Sequence, residues 1–224
     1  MKKHSADRHL KLPDTASTAI PGDDARLHAP SAVRNVKAIC DLVMHHAPQI
    51  GKALEIASGT GQHIVALAQA MPGLEWQPTD IDTLRRASID LRVKEADLPN
   101  LALSVPLNAT ISGWARLHAD QNLILLVNLL HLISEDEAKV LVSEAALALA
   151  PRGQLILYGP FLRDGKTTSK GDARFHVSLR EQDPDIGYKN DWDVIDWLQQ
   201  TCLELLQVVE MPANNLAFIA KRPG

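Results

Sequence analysis

Cysteine is nearly absent from this 224-residue chain. Cys40 and Cys202 stand far apart and form no CxxC, so neither a disulfide framework nor a zinc ribbon is in view. Aromatic residues are scarce too: four Trp, two Tyr and three Phe are too few for a base-stacking platform. An excess of basic charge is missing. Lys and Arg number 23 against 27 Asp and Glu, a net charge of −4, which argues against a nucleic-acid binder. No apolar run reaches the roughly 18 residues of a membrane span. The longest, around Leu123 to Ile133, is broken by Asn128 and His131. Lys2 and Lys3 are followed by the polar stretch His4 to Leu12, so no secretory leader is expected. A cytoplasmic protein without nucleic-acid or membrane partners is the expectation, as monomer or homodimer.

Hydrophobic residues make up 46% of the chain, enough for a sizeable core. Residues 1–30 lack any sustained period and are punctuated by Pro13, Pro21, Gly22 and Pro30. They read as a flexible or irregular N-terminal arm. Residues 31–224 read as one domain. A helix starts near Ser31 and stops before Pro48. Short apolar runs then alternate with helical periods. The strands are Ala53–Ala57, Leu74–Asp80, Leu101–Leu107, Gln121–Asn128 and Gln154–Tyr158. Helices are expected over Thr83–Glu95, from Ser134 to Pro151 and over Trp192–Cys202. Ser134 and Glu137 have capping-box spacing. Residues 160–190 are a polar insert with a short helix near Ala173–Glu181, read as a substrate cover. Glu204–Glu210 and Leu216–Lys221 are joined too tightly for a parallel crossover. The pattern implies an α/β fold: a doubly wound, Rossmann-like, seven-stranded, mostly parallel sheet with an antiparallel last strand.

The most informative segment is Leu54-Glu55-Ile56-Ala57-Ser58-Gly59-Thr60-Gly61-Gln62-His63, where a strand runs through Gly-x-Gly directly into a helix. Such a turn takes a dinucleotide pyrophosphate at the helix N-terminus, or lays S-adenosylmethionine against the loop. The dinucleotide fingerprint wants a third glycine, and Ile64 stands in its place. Glu55 lies inside the strand, where a carboxylate suits a cationic ligand. Asp80, at the end of the second strand, is placed to accept from ribose hydroxyls of either cofactor, or simply to cap the next helix.

The chain from about Ser31 to Arg222 resembles a family of small, uncharacterised proteins that includes methyltransferase-like protein 26. The resemblance rests on Arg34-Asn35, LEIASGTGQH at 54–63, WQPTD at 76–80, and YGPF at 158–161 with MPANN at 211–215. It implies a class I methyltransferase fold and S-adenosylmethionine as cofactor, but no substrate. Three places depart from the family pattern. Leu107-Asn108-Ala109 replaces Leu-Asp-Val, leaving Asn108 as a weaker contact to the adenine amino group. Gly171-Asp172 precedes Phe175-His176 where Ser-Asn precedes Phe-Asp. Asp183-Pro184-Asp185-Ile186-Gly187 replaces Asp-Pro-x-Trp-Gly.

The expected cofactor set is Arg34, Asn35, Glu55, Ala57, Ser58, Gly59, Thr60, Gly61, His63, Asp80, Asn108 and Asn128. Arg34 has the guanidinium fork to clamp a carboxylate. His131, just past the fourth strand, is the candidate base, with an ordinary pKa near 6.5. Tyr158 is its catalytic companion. Tyr158, Phe161, Asn214 and Asn215 are the expected acceptor contacts, and Asn214 and Asn215 are equally suited to a tight turn. Of the nine histidines only His63 and His131 fall near the pocket, and no metal is expected. The resulting expectation is methyl transfer to a small-molecule acceptor. The alternatives are a nicotinamide-dependent oxidoreductase or a non-catalytic binder of the cofactor.

Overall fold

The computed structural model describes residues 19–22 and 26–224. Most of the expected N-terminal arm lies outside them. Its described part forms β1 (Ile20–Pro21) and β2 (Leu27–His28), paired antiparallel. Then follow α1 (Pro30–His46), β3 (Gly51–Ile56), α2 (Gln62–Ala70), β4 (Leu74–Asp80), α3 (Thr83–Ala96) and β5 (Val105–Pro106). The second half holds β6 (Gln121–Val127), α4 (Glu135–Ala148), β7 (Leu149–Leu162), α5 (Lys170–Gln182) and β8 (Lys189–Asn190). It closes with α6 (Asp191–Gln200), β9 (Glu204–Met211) and β10 (Asn215–Lys221).

The main sheet has the order β5-β4-β3-β6-β7-β10-β9, with β8 added beside the end of β7. All neighbours pair parallel except β10, which is antiparallel to both β7 and β9. The order reverses between β3 and β6. A crevice opens outside the carboxyl ends of strands at such a switch point.

The two-residue period of a strand sends alternate side chains to opposite faces, and here both faces are covered. Leu54, Ile56, Ile124, Leu126, Leu155 and Leu157 face one core with α4 and α6. Ala53, Leu123, Leu125 and Ile156 face the other, under α1, α2 and α3. This explains why Gln121–Val127 reads as a continuous apolar run rather than an alternating one.

The structure corrects two expected strands. The third strand is only Val105–Pro106, preceded by an isolated bridge between Trp76 and Leu101. Ser104 donates from Oγ and from its backbone N–H to Asp90 Oδ1 at 2.8 and 2.7 Å, which bends the chain away from β4 between the two. The fifth strand is far longer than Gln154–Tyr158. Helix α4 stops at Ala148, before Pro151, and β7 starts at Leu149. At its other end β7 continues through Pro160 and Phe161 because β10 and β8 pair it there.

Helix α4 opens on the anticipated capping box. Ser134 Oγ accepts the Glu137 N–H at 3.2 Å, and Glu137 Oε2 accepts the Ser134 N–H at 2.6 Å. Removing such a cap costs about 1 kcal/mol. Ser134→Ala is therefore expected to lower the unfolding free energy by about 1 kcal/mol, seen as a lower urea midpoint with an unchanged m value by circular dichroism.

Candidate functional site

A cavity of about 590 Å³ opens at the carboxyl ends of β3, β6 and β7. Its walls come from the glycine turn, the start of α1, the loop after β6, α5 and the β9–β10 turn. Among the expected residues, Arg34, Asn35, Glu55, Ala57, Ser58, Gly59, Thr60, His63, Asn128, His131, Tyr158 and Asn215 line it.

The turn after β3 is locked to the end of β4. The Ser58 N–H donates to Thr79 O at 2.7 Å, and Thr79 Oγ1 donates to Glu55 O at 2.8 Å. The Gly59 N–H donates to Asp80 Oδ2 at 3.0 Å, and the Asp82 N–H to Asp80 Oδ1 at 2.9 Å. Gly61 then enters α2 at φ 81°, a left-handed conformation that suits glycine. A Cβ there would meet the Ile89 backbone at 3.0 Å, so a side chain at this position would press on α3 as well as strain the left-handed backbone. Ala57 at φ 53° and Asn128 at φ 58° are left-handed as well. They close the adjacent strands β3 and β6, and such strain in non-glycine residues gathers where backbone geometry serves a site.

A strap of residues 26–29 closes one side. The Leu27 N–H donates to Ser88 Oγ at 2.8 Å, and Arg92 bridges Leu27 O at 2.8 Å and Thr60 O at 2.9 Å. The Ala29 N–H donates to Gln62 Oε1 at 2.7 Å. Sequence reasoning did not foresee that Ala29, Pro30 and Ser31 would form cavity wall.

Glu55 is 1% exposed, and its Oε2 has no hydrogen-bond partner among the described residues. Burial, with help from the Asp80 charge, pushes its pKa up to about 7. Burial also raises Asp80. Two carboxyls held this way make the cradle receptive to a cation. His63 pairs with Asn35 Oδ1 at 2.8 Å, and burial pushes its pKa down to about 4. Arg34 stands exposed at the rim.

On the far side, His131 sits in a short 3-10 turn, Leu130–Leu132. It is 4% exposed, and its Nδ1 has no partner among the described residues. Burial first, then the Lys189 charge, push its pKa down to about 3. The expected ordinary pKa is thus corrected: the ring is neutral at any physiological pH and is a weak base. Tyr158 is 3% exposed, its hydroxyl makes no close hydrogen bond among the described residues, and burial raises its pKa while the Asn35 and Asn215 amides lower it.

Five expected residues do not line the cavity. Asp80 and Gly61 act from behind the turn. Asn108 turns its Oδ1 onto Thr110, accepting from N at 3.0 Å and Oγ1 at 2.7 Å. Phe161 is buried in the core, edge-on to Phe218 with ring centres 4.9 Å apart, because it is a β7 strand residue facing α4 and α6. Asn214, at φ 61° in the β9–β10 turn, donates from Nδ2 to Asp172 Oδ2 at 2.9 Å. Asp172, Phe175 and Tyr188 were not foreseen as site residues, yet all line the cavity. The signal for the first two was their spacing of three on a helix, which places them on one face.

Residues 26–222 match the family described as protein of unknown function DUF938. The chain belongs to this family. Solved structures similar to this DUF938 protein include methyltransferases. One is an O-methyltransferase family protein from Burkholderia thailandensis, 17% identical with a TM-score of 0.72, covering 87% of this chain and 58% of that one. Another is human N-acetylserotonin methyltransferase in complex with S-adenosylmethionine, 11% identical with a TM-score of 0.71, covering 87% and 53%. A third is PigF with S-adenosylhomocysteine, 14% identical with a TM-score of 0.70, covering 86% and 56%. The DUF938 protein thus spans a little over half the length of these structures and shares the class I methyltransferase fold with them. No helix among its described residues is long and apolar enough to cross a membrane.

The buried groups set opposite slopes of stability against pH. Glu55 ordinarily titrates near 4.5 and in the fold near about 7. Folding therefore takes up a proton in that window, and stability falls as pH rises through it. His63 and His131, ordinarily near 6.5, are held at about 4 and about 3. There the unfolded chain binds more protons, so stability rises with pH up to 6.5. Glu55→Gln is expected to stabilise the protein at pH 8, with the gain shrinking toward pH 5. Urea titration at both values checks this.

Proposed function

We propose that this protein is an S-adenosylmethionine-dependent methyltransferase acting on a small-molecule acceptor. The observation that carries the proposal is the buried Glu55 carboxyl beneath a glycine turn, its Oε2 without a hydrogen-bond partner among the described residues, in a fold shared with methyltransferases. A dinucleotide pyrophosphate would meet Glu55 as a repelling charge. A sulfonium and an ammonium group are attracted to it. The resemblance to the family of methyltransferase-like protein 26 supports the same cofactor.

When bound, S-adenosylmethionine supplies an already activated methyl group. This chain's residues bind and align. Glu55 faces the cationic centre and Arg34 takes the carboxylate. Gly59, Ser58, Thr60 and Ala57 bring backbone close to the ligand. Asn35, His63 and Asn128 line the same half of the cavity. Asp80 keeps the turn in shape from behind it, each of its oxygens accepting one backbone N–H. His131 and Tyr158, both neutral, hydrogen-bond the acceptor and orient its nucleophile. Asn215 stands beside them, and α5 with the β9–β10 turn covers the acceptor. Alignment alone supplies on the order of 7–11 kcal/mol in favourable cases. A weak base such as His131 is therefore no obstacle when the nucleophile arrives with a lone pair free.

Calorimetric titration tests the reading. S-adenosylmethionine and S-adenosylhomocysteine are expected to bind, and NADH is not. Tight NADH binding with neither adenosyl compound bound would overturn it. Asp80→Ala is expected to weaken S-adenosylhomocysteine by about tenfold or more, since the turn that shapes the cavity loses its anchor. Binding of cationic S-adenosylmethionine near pH 7 is also expected to release a fraction of a proton, because a cation lowers the Glu55 pKa. Heats measured in buffers of different ionisation enthalpy report that release, and Glu55→Gln abolishes it.

A further inference from the structure

We infer that the acceptor is a small molecule bearing a protonated amine, and that Asp172 anchors the ammonium group at the mouth of the cavity. The inference rests on the methyltransferase reading for the name acceptor, though not for the amine site itself.

The charges on the cavity wall are divided. Its cations, Arg34 and Arg85, stand on α1 and α3, both packed on the face that carries the glycine turn. The opposite wall, from α5, the loop after β6 and the β9–β10 turn, brings one formal charge, Asp172. Lys189 does not line the cavity: its Nζ donates to Ile133 O at 2.7 Å and Gly187 O at 3.0 Å. An anionic acceptor would find a fixed carboxylate on this wall and no cation.

Asp172 is held rather than loose. Its Oδ2 accepts from Thr168 Oγ1 at 2.8 Å, Ser169 Oγ at 2.6 Å and Asn214 Nδ2 at 2.9 Å. Its Oδ1 receives only a long contact from Tyr188 Oη at 3.4 Å and has lone-pair capacity left. Burial would raise this carboxyl, but the Ser169, Thr168, Asn214 and Tyr188 donors hold it below the usual range, so it is ionised.

Aromatic rings flank it. Phe175 and Tyr188 lie 6.0 Å apart, centre to centre, and His131 lies 5.8 and 6.1 Å from them. A carboxylate beside aromatic rings is a favourable setting for an ammonium group. Deeper in, the orphaned Tyr158 Oη and His131 Nδ1 are each more than nine-tenths buried and uncharged. They suit a neutral polar group at the other end of the same molecule.

Three probes differing in head group test this: phenethylamine, 2-phenylethanol and phenylacetate. Each is titrated into the full chain, with and without saturating S-adenosylhomocysteine. The amine is expected to bind about tenfold or more tightly than the alcohol, and the acid more weakly than either. Asp172→Asn is expected to bring the amine to the level of the alcohol, with the alcohol unchanged. Half-molar salt on the unaltered protein is expected to shrink the same gap. Should Asp172→Asn unfold early, Phe175→Leu reports instead, by loss of amine preference. Acid binding as tight as amine binding, an amine preference that survives Asp172→Asn, or no amine binding at millimolar concentration each overturn the inference. If S-adenosylhomocysteine fails to bind while the amine still depends on Asp172, the methyltransferase reading falls and the amine site stands.

Discussion

The bond from the Gly59 N–H to the Asp80 carboxylate is the constraint on which the site depends. It joins the turn after β3 to the end of β4, strands whose parallel register is already fixed by their ladder. With Asp80 gripping Gly59 and Asp82 together, the turn is held open at the height where Ala57 and Asn128 adopt left-handed backbone. Gly61 then drops against α3. The strap at residues 26–29 docks on the surface this creates, through Ser88, Arg92 and Gln62. Without the carboxylate, the ladder and the Ser58–Thr79 bonds would still hold β3 against β4, but the Gly59 end of the turn would lose its tie to Asp82 and the start of α3.

The second organising feature is electrostatic. Three buried polar atoms on the cavity wall, on Glu55, His131 and Tyr158, have no hydrogen-bond partner among the described residues. A fold tolerates such groups at a cost of about 1–3 kcal/mol each. All three converge on one cavity. They are not equivalent: Glu55 sits at the edge of ionisation, whereas the other two are neutral. This divides the cavity into a half that favours positive charge and a half that orients without charge.

Much of this was legible in the sequence. Strand–turn–helix with Gly59 and Gly61, the carboxyls at 55 and 80, and the alternation of strands and helices determine fold and cradle together. The capping box at Ser134 was readable because it is local chemistry. The failures are equally physical. Phe161 follows the end of the apolar run at Tyr158 and looked like a loop residue, but long-range pairing by β8 and β10 keeps it in a strand and turns it into the core. Asn108 was placed by analogy, and a two-residue contact with Thr110 claims its oxygen instead. The base strength of His131 depends on burial by Phe175 and Tyr188, which are 44 and 57 positions away in sequence and invisible to spacing rules. Asp172 was noticed only as a departure from a pattern. Its importance comes from Asn214 reaching it across the cavity mouth.

The pairing of β3 with β6 has a consequence for how the protein is made. The two strands are adjacent in space, but their partners lie some 70 residues apart in sequence, as Lys52 and Asn122 illustrate. Contacts of that range form late, because loop closure must precede any gain from them. A nascent chain that has exposed the glycine turn still lacks the strand that buries the second edge of β3. The segment richest in cavity-lining residues is thus among those that wait longest for their surroundings. During synthesis the unfinished β3 keeps one edge of unpaired N–H and C=O groups, and the cavity acquires its shape only after the middle of the chain has emerged.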